Sequence, residues 1–252
     1  FLAEFGIQVG GYVLSIGTVS ADVTTLAVDE RIRLALLSDV SCPDANAAER
    51  MQQAIRDIMT ARDTLGGVIE IAVLGLPPGL GSFMQWDRRL EARIGAAVLS
   101  VQAIKGVEFG PAFENARLPG TKAHDPILLE GERLVRPSNR AGGVEGGVTT
   151  GQPLFVRAAM KPIATTLTPQ QSVNLAVKAA EVTHYERSDF CPVPRAVVIL
   201  EAMVAFVLAD ALLEKVGGDS LDEMHPRFAA LRQARLSDLP MEARDHIFWP
   251  AE

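Results

Sequence analysis

Glu186-Arg187-Ser188-Asp189 sets a carboxylate, a guanidinium, a hydroxyl and a second carboxylate in a row. Arginine presents a fork of donors that matches carboxylate or phosphate oxygens, and an aspartate can take up or return a proton. The same tetrad could instead be a surface capping cluster ahead of a helix. A second candidate is Lys161 in Met160-Lys161-Pro162-Ile163-Ala164-Thr165, where a strand gives way to a loop and ligand contacts are common; a solvated lysine before a turn proline is the plainer alternative. A third is the pair of glycine doublets Gly142-Gly143 and Gly146-Gly147. Without Cβ atoms such a loop reaches positive φ and lets backbone N–H groups approach a phosphate or a flat cofactor, although two ordinary tight turns would need the same residues.

Other chemistries find little footing. The doublets match neither of the two standard nucleotide fingerprints, and no G-x-S-x-G elbow presents a serine. His124, His184, His225 and His246 show no metal-binding spacing, and Cys42 and Cys191 stand far apart without a C-x-x-C pair, so no metal site is expected. His124-Asp125 could act as an acid/base pair or simply hydrogen-bond within a polar loop.

The elements that must hold these residues follow from periodicity. Residues 6–19, 66–76 and 153–159 alternate β-branched positions and predict strands. Residues 44–62 open with Asp44 as a cap and repeat apolar positions every three or four residues, as do 86–105, which predicts two helices. A third, the clearest, covers 195–216 and stops at Gly217-Gly218. Polar stretches at 117–125 and 134–150 interrupt the order, and 218–252 reads as a charged, peripheral tail beyond a core of 1–217.

With 252 residues, 48% of them apolar, the chain can bury a sizeable core. Its net charge of −7, with lysines and arginines scattered, gives nucleic acid little to bind. The longest apolar run, 202–213, is broken by Asp210 and falls short of the roughly 20 residues a bilayer needs, so no membrane association is expected. The cysteine usage suits a reducing compartment.

Taken in order, RDTLGG at 62–67, GLPPGLGSFMQWDRRLEA at 75–92, SVQAIKGVEFG at 100–110, SNRAGGVEGGVTTGQP at 138–153, MKPIATT at 160–166 and the long stretch from Tyr185 to Leu221 resemble chorismate synthase. The resemblance implies an α+β fold of antiparallel sheets and helices layered in a sandwich, assembled as a homotetramer. It implies a cytoplasmic lyase that eliminates phosphate from 5-enolpyruvylshikimate 3-phosphate in an anti-1,4 sense to give chorismate, with reduced FMN as cofactor and no net redox change. On this resemblance Asn139, Gly142, Gly143, Gly146 and Gly147 line the flavin site, Lys161 and Thr165 hold its phosphate or ribityl side, and Ser188 joins them. Arg187 binds substrate and flavin anions, and Asp189 is the catalytic residue that helps deprotonate the flavin.

The resemblance also has gaps. The family's two catalytic histidines and several substrate-binding arginines belong to an N-terminal third that this chain does not match, so the chain is expected to be the C-terminal two-thirds and inactive alone. Ala164 stands where the family usually has proline. Two other readings stay open: a non-catalytic flavin- or phosphosugar-binding fragment, and an oligomerisation domain built around the long helix.

Overall fold

A computed structural model describes residues 1–233 and 235–239. After a short 3-10 turn at Leu2–Phe5, the predicted strand at 6–19 resolves into β1 (Gln8–Ile16) and β2 (Val19–Ser20), turned back at Gly17. Helix α1 (Val28–Ala35) follows, then α2 (Ala45–Thr60), whose cap Asp44 accepts the Ala47 N–H at 3.0 Å. Strand β3 (Gly67–Leu74) and helix α3 (Leu90–Leu99) come next. The helix predicted through residue 105 ends at Leu99, and Ile104–Phe109 is strand β4 instead. Ala103 breaks the helical path with φ of 67°, and Ile-Lys-Gly-Val-Glu-Phe then pairs along a neighbour.

The intervening segment holds short α4 (Ala112–Asn115) and α5 (Gly120–Ala123), then hairpins β5 (Leu128–Glu130) with β6 (Arg133–Val135) and β7 (Val144–Glu145) with β8 (Val148–Thr149). Strand β9 (Leu154–Met160) leads into hairpin β10 (Gln171–Asn174) with β11 (Ala179–Val182), and helices α6 (Val193–Val216) and α7 (Leu221–Ala229) follow, with a 3-10 turn at Leu236–Asp238 last among the described elements.

Five strands form one antiparallel sheet in the order β2-β1-β3-β9-β4. One face carries Val13, Ile69, Ile71, Val156 and Ala158 against Leu200, Val204 and Leu208 of α6 and Ile94 and Val98 of α3, all buried. The other face packs Tyr12 and Ala72 against Ile32 and Ala35 of α1. Sheet and helices are therefore layered, in line with the α+β expectation. Beside α1, buried Glu70 accepts the Tyr12 hydroxyl at 2.5 Å and Arg157 Nε at 2.5 Å. Burial first, and the Glu70 charge second, push the Tyr12 phenol up.

Helix α6 departs from expectation in two ways. The run judged too short for a bilayer lies within 24 residues whose most apolar window has a mean hydropathy of 2.4, so by length and composition this helix could cross one. Only part of it is covered: Leu200, Leu208 and Leu212 are fully buried on the sheet side, whereas Val198 and Phe206 are 64% and 75% exposed. A helix that is apolar all round normally meets protein on every side.

The stretch read as a peripheral tail begins inside the core. Met224 of α7 is buried, Phe228 and Leu231 pack on the same cluster, and Phe5 lies 4.9 Å from the His225 ring and 5.1 Å from Phe228. Residue 234 and residues 240–252 of that stretch, His246 among them, lie outside the described residues.

Candidate functional site

The predicted site residues fall into two groups at opposite ends of β9. Seven residues at about 3.3 Å each separate them by roughly 23 Å along the strand.

The glycine loop sits at the start of β9. Asn139 works inside the loop: its Nδ2 donates to the Pro153 carbonyl and its Oδ1 accepts the Gly143 N–H, both at 2.8 Å. Gly142 and Gly143 take φ of 66° and 83° and are buried. A Cβ on Gly142 would come within 2.6 Å of Gly110 Cα, and one on Gly143 within 2.6 Å of Leu154 Cα, so the backbone packing of the loop explains both glycines. Gly146 and Gly147, with φ of 65° and 97°, make the two-residue turn between β7 and β8, and positive φ at both positions is what a type I′ hairpin turn uses. Gly147 is buried under Ser82 and Arg89, but a Cβ on Gly146 would meet nothing within 4 Å. Of the four glycines, Gly146 is the one with open space beside it.

Asp125 clamps this loop, which is the role the structure gives it rather than pairing with exposed His124. Its carboxylate accepts Ser138 Oγ at 2.5 Å, the Arg140 N–H at 2.7 Å and the Ala141 N–H at 2.8 Å. Burial pushes the carboxyl up, but these three donors and the Arg136 charge outweigh it and hold it below the usual carboxylate range. A carboxyl depressed in the folded state stabilises the fold above its unfolded value and loses that contribution as pH falls through its folded value. Asp125→Ala is therefore expected to cost about 2 kcal/mol at pH 7 and less at a pH well below the usual carboxylate range, where the group is protonated in both states. Urea unfolding at the two pH values checks this, and an equal loss at both would refute it.

Lys161, Thr165, Ser188 and Asp189 gather at the other end of β9. The Thr64 hydroxyl donates to the Ile163 carbonyl at 2.6 Å, Ser188 Oγ donates to the Thr165 carbonyl at 3.0 Å, and the Leu65 N–H donates to the Phe190 carbonyl at 2.8 Å. These bonds tie the segments after β9 and before α6 to the start of β3, and the β10–β11 hairpin projects between them. The result is a cleft of about 730 Å³, within the range usual for small-molecule sites. Met160, Ile163, Ile199 and Met203 supply apolar wall, and Lys161, Asp189, Gln102 and Arg195 supply polar groups.

Lys161 Nζ has one long contact, 3.4 Å to the Pro162 carbonyl, and among the described residues neither it nor Arg187 forms an ion pair. Arg187 is exposed beside the cleft segment without lining the cleft. Asp189 is held by Arg195 Nη1, at 3.0 Å from Oδ1 and 2.9 Å from Oδ2. Nearby, burial pushes the Cys191 thiol up, which disfavours the thiolate.

Sequence reasoning had assigned no role to Gln102, Ala103 or Arg195. The first two lie in the SVQAIKGVEFG stretch, and the positive φ of Ala103 turns its carbonyl to accept the Lys161 N–H at 2.9 Å. Nothing in an alanine announces that conformation. Arg195, six residues after Asp189, was legible only as part of a helix.

The loop and the cleft can be set beside known proteins. The sequence profile of the family described as chorismate synthase matches residues 1–213. The chorismate synthase of Syntrophotalea carbinolica is 49% identical over 230 residues, covering 91% of this chain and 59% of that protein. That of Trichlorobacter lovleyi is 51% identical over 231 residues, covering 88% and 59%. A solved structure titled "Crystal Structure of Chorismate Synthase" superposes with a TM-score of 0.77 at 40% identity, over 90% of this chain and 63% of that one. This chain thus spans about three-fifths of the length of the curated relatives it matches, and on these matches it belongs to the chorismate synthase family.

Proposed function

We propose that the complete protein is a cytoplasmic, homotetrameric lyase that converts 5-enolpyruvylshikimate 3-phosphate to chorismate with reduced FMN bound. The observation that carries this reading is that Lys161 and Asp189, 28 positions apart in sequence, both line one cleft. Its composition fits the cofactor: an apolar wall suits a flat ring, and a lysine without an ion pair among the described residues suits an anionic tail. Lys161 would hold that tail with Thr165 and Ser188 bracing the same loop, and Gln102 would meet the polar edge. Reduced FMN, when bound, would lend electron density to the allylic system from which phosphate leaves.

This chain's residues would supply binding and proton handling. Arg187 and Lys161 would bind the oxyanions of substrate and cofactor, worth most where water is excluded. Asp189 would accept and return a proton at its carboxylate. The homotetramer belongs to the same reading. Gly146 and Lys161 lie at opposite ends of β9, so a ligand touching both must span that length or take one end from a second copy.

Anaerobic turnover of 5-enolpyruvylshikimate 3-phosphate by the complete protein with reduced FMN tests the reading. Phosphate and chorismate are expected in equal amounts, and Lys161→Ala should weaken flavin binding about tenfold or more, the loss of one charge-assisted contact. Flavin binding without phosphate release would leave only a binding fragment.

A further inference from the structure

The Asp189 carboxylate is held by one guanidinium nitrogen. Arg195 Nη1 donates to both oxygens, at 3.0 and 2.9 Å, from the first turn of α6. Asp189 itself lies on the irregular segment between β11 and α6, with no regular element to fix it. Helix α6 is anchored to the sheet by Val193, Ala196, Val197 and Leu200, which flank Arg195 and are buried. The stem of Arg195 therefore starts from a rigid base, although its side chain is 77% exposed. Exposed ion pairs contribute little to stability, so the contact is poorly explained as a device for holding the fold together. Both residues also line the cleft that contains Lys161 and Gln102.

We propose that Arg195 is a positioning residue for Asp189: it fixes the orientation of the carboxylate at the mouth of the cleft, so that proton transfer there starts from one geometry. The inference rests on the reading of Asp189 as the residue that moves a proton. Because a single guanidinium nitrogen makes both contacts, a lysine ammonium at 195 could reproduce part of the hold, though on a more flexible stem. Misplacing a reacting group by about 1 Å can cost on the order of a hundredfold in rate.

The test uses the complete protein carrying Arg195→Gln, Arg195→Lys, Asp189→Asn and the double variant Asp189→Asn/Arg195→Gln. Steady-state turnover, the dissociation constant of reduced FMN and thermal unfolding are measured for each. Arg195→Gln is expected to lower kcat at least tenfold while KM, flavin affinity and Tm stay near wild type. Arg195→Lys should recover part of the loss. In the Asp189→Asn background, Arg195→Gln should add less than twofold, because two residues acting as one unit are not additive. Unchanged kcat in Arg195→Gln, a loss confined to KM, or full additivity with Asp189→Asn would each overturn the proposal. If Asp189→Asn itself leaves kcat unchanged, the role assigned to Asp189 falls and the proposal falls with it. A large Asp189→Asn effect with a silent Arg195→Gln refutes the Arg195 role alone.

Discussion

Asp189→Asn in the complete protein is expected to lower kcat by about a hundredfold or more, the range that a positioned proton-transfer group contributes, while reduced FMN still binds. Asparagine has the same shape and can still accept a hydrogen bond from Arg195 through its carbonyl oxygen. What it loses is the basic oxygen. The side chain is 41% exposed and, among the described residues, paired only with an exposed arginine, so the fold should tolerate the change, with Tm moving by a few degrees at most. Anaerobic turnover together with flavin titration reads both halves of the expectation. A variant that turns over normally would remove Asp189 from the chemistry. One that also loses flavin would show that the residue supports binding, which is how a non-catalytic module would respond.

Gly143→Ala and Gly146→Ala are expected to part company sharply. An alanine at 143 would occupy a left-handed backbone and drive its Cβ to 2.6 Å from Leu154 Cα, against backbone that cannot step aside. The left-handed conformation costs roughly 1–2 kcal/mol and the overpacking about as much again, so a fall in Tm of about 6–12 °C follows. An alanine at 146 has the same backbone strain but open space around it, so its Tm should drop by only about 3–6 °C. Reduced FMN affinity then discriminates: a flavin resting on the turn would lose about tenfold or more to a methyl group at 146. An unchanged affinity would leave Gly146-Gly147 as a hairpin turn and nothing else. Thermal unfolding and flavin titration on the same two variants settle both points.

How much of this was legible in the sequence differs from element to element. Helix α2 was readable because its cap and its apolar face are both local properties. The α3–β4 junction was not, because Val101 and Ile104 continue the helical spacing while Ala103 turns left-handed to satisfy the Lys161 N–H. Helix α1 escaped notice because it is eight residues long and its apolar side is defined by Tyr12 and Ala72, which lie on strands. The need for glycine at 142, 143 and 147 was visible, but its cause was not. Gly110, Pro153 and Ser82, which crowd those positions, come from other parts of the chain. The site divides in the same way. Lys161 and Asp189 could be picked by type, but their meeting depends on where β9 ends and on bonds to Thr64 and Leu65 that no local pattern encodes.

The placement of α6 bears on the order in which the protein is made. Every strand of the five-stranded sheet precedes it in the chain, from β1 to β9. Synthesis runs from the N-terminus at about 5–20 residues per second, so the sheet face that receives Leu200, Val204 and Leu208 has already left the ribosome when they emerge. A segment as apolar as a membrane span is thereby released after every strand of that sheet, next to the surface that shields one of its sides. A circular permutation that moved α6 ahead of β1 would keep the final contacts but expose this helix, with no sheet to receive it, to aggregation and to the machinery that sorts membrane proteins.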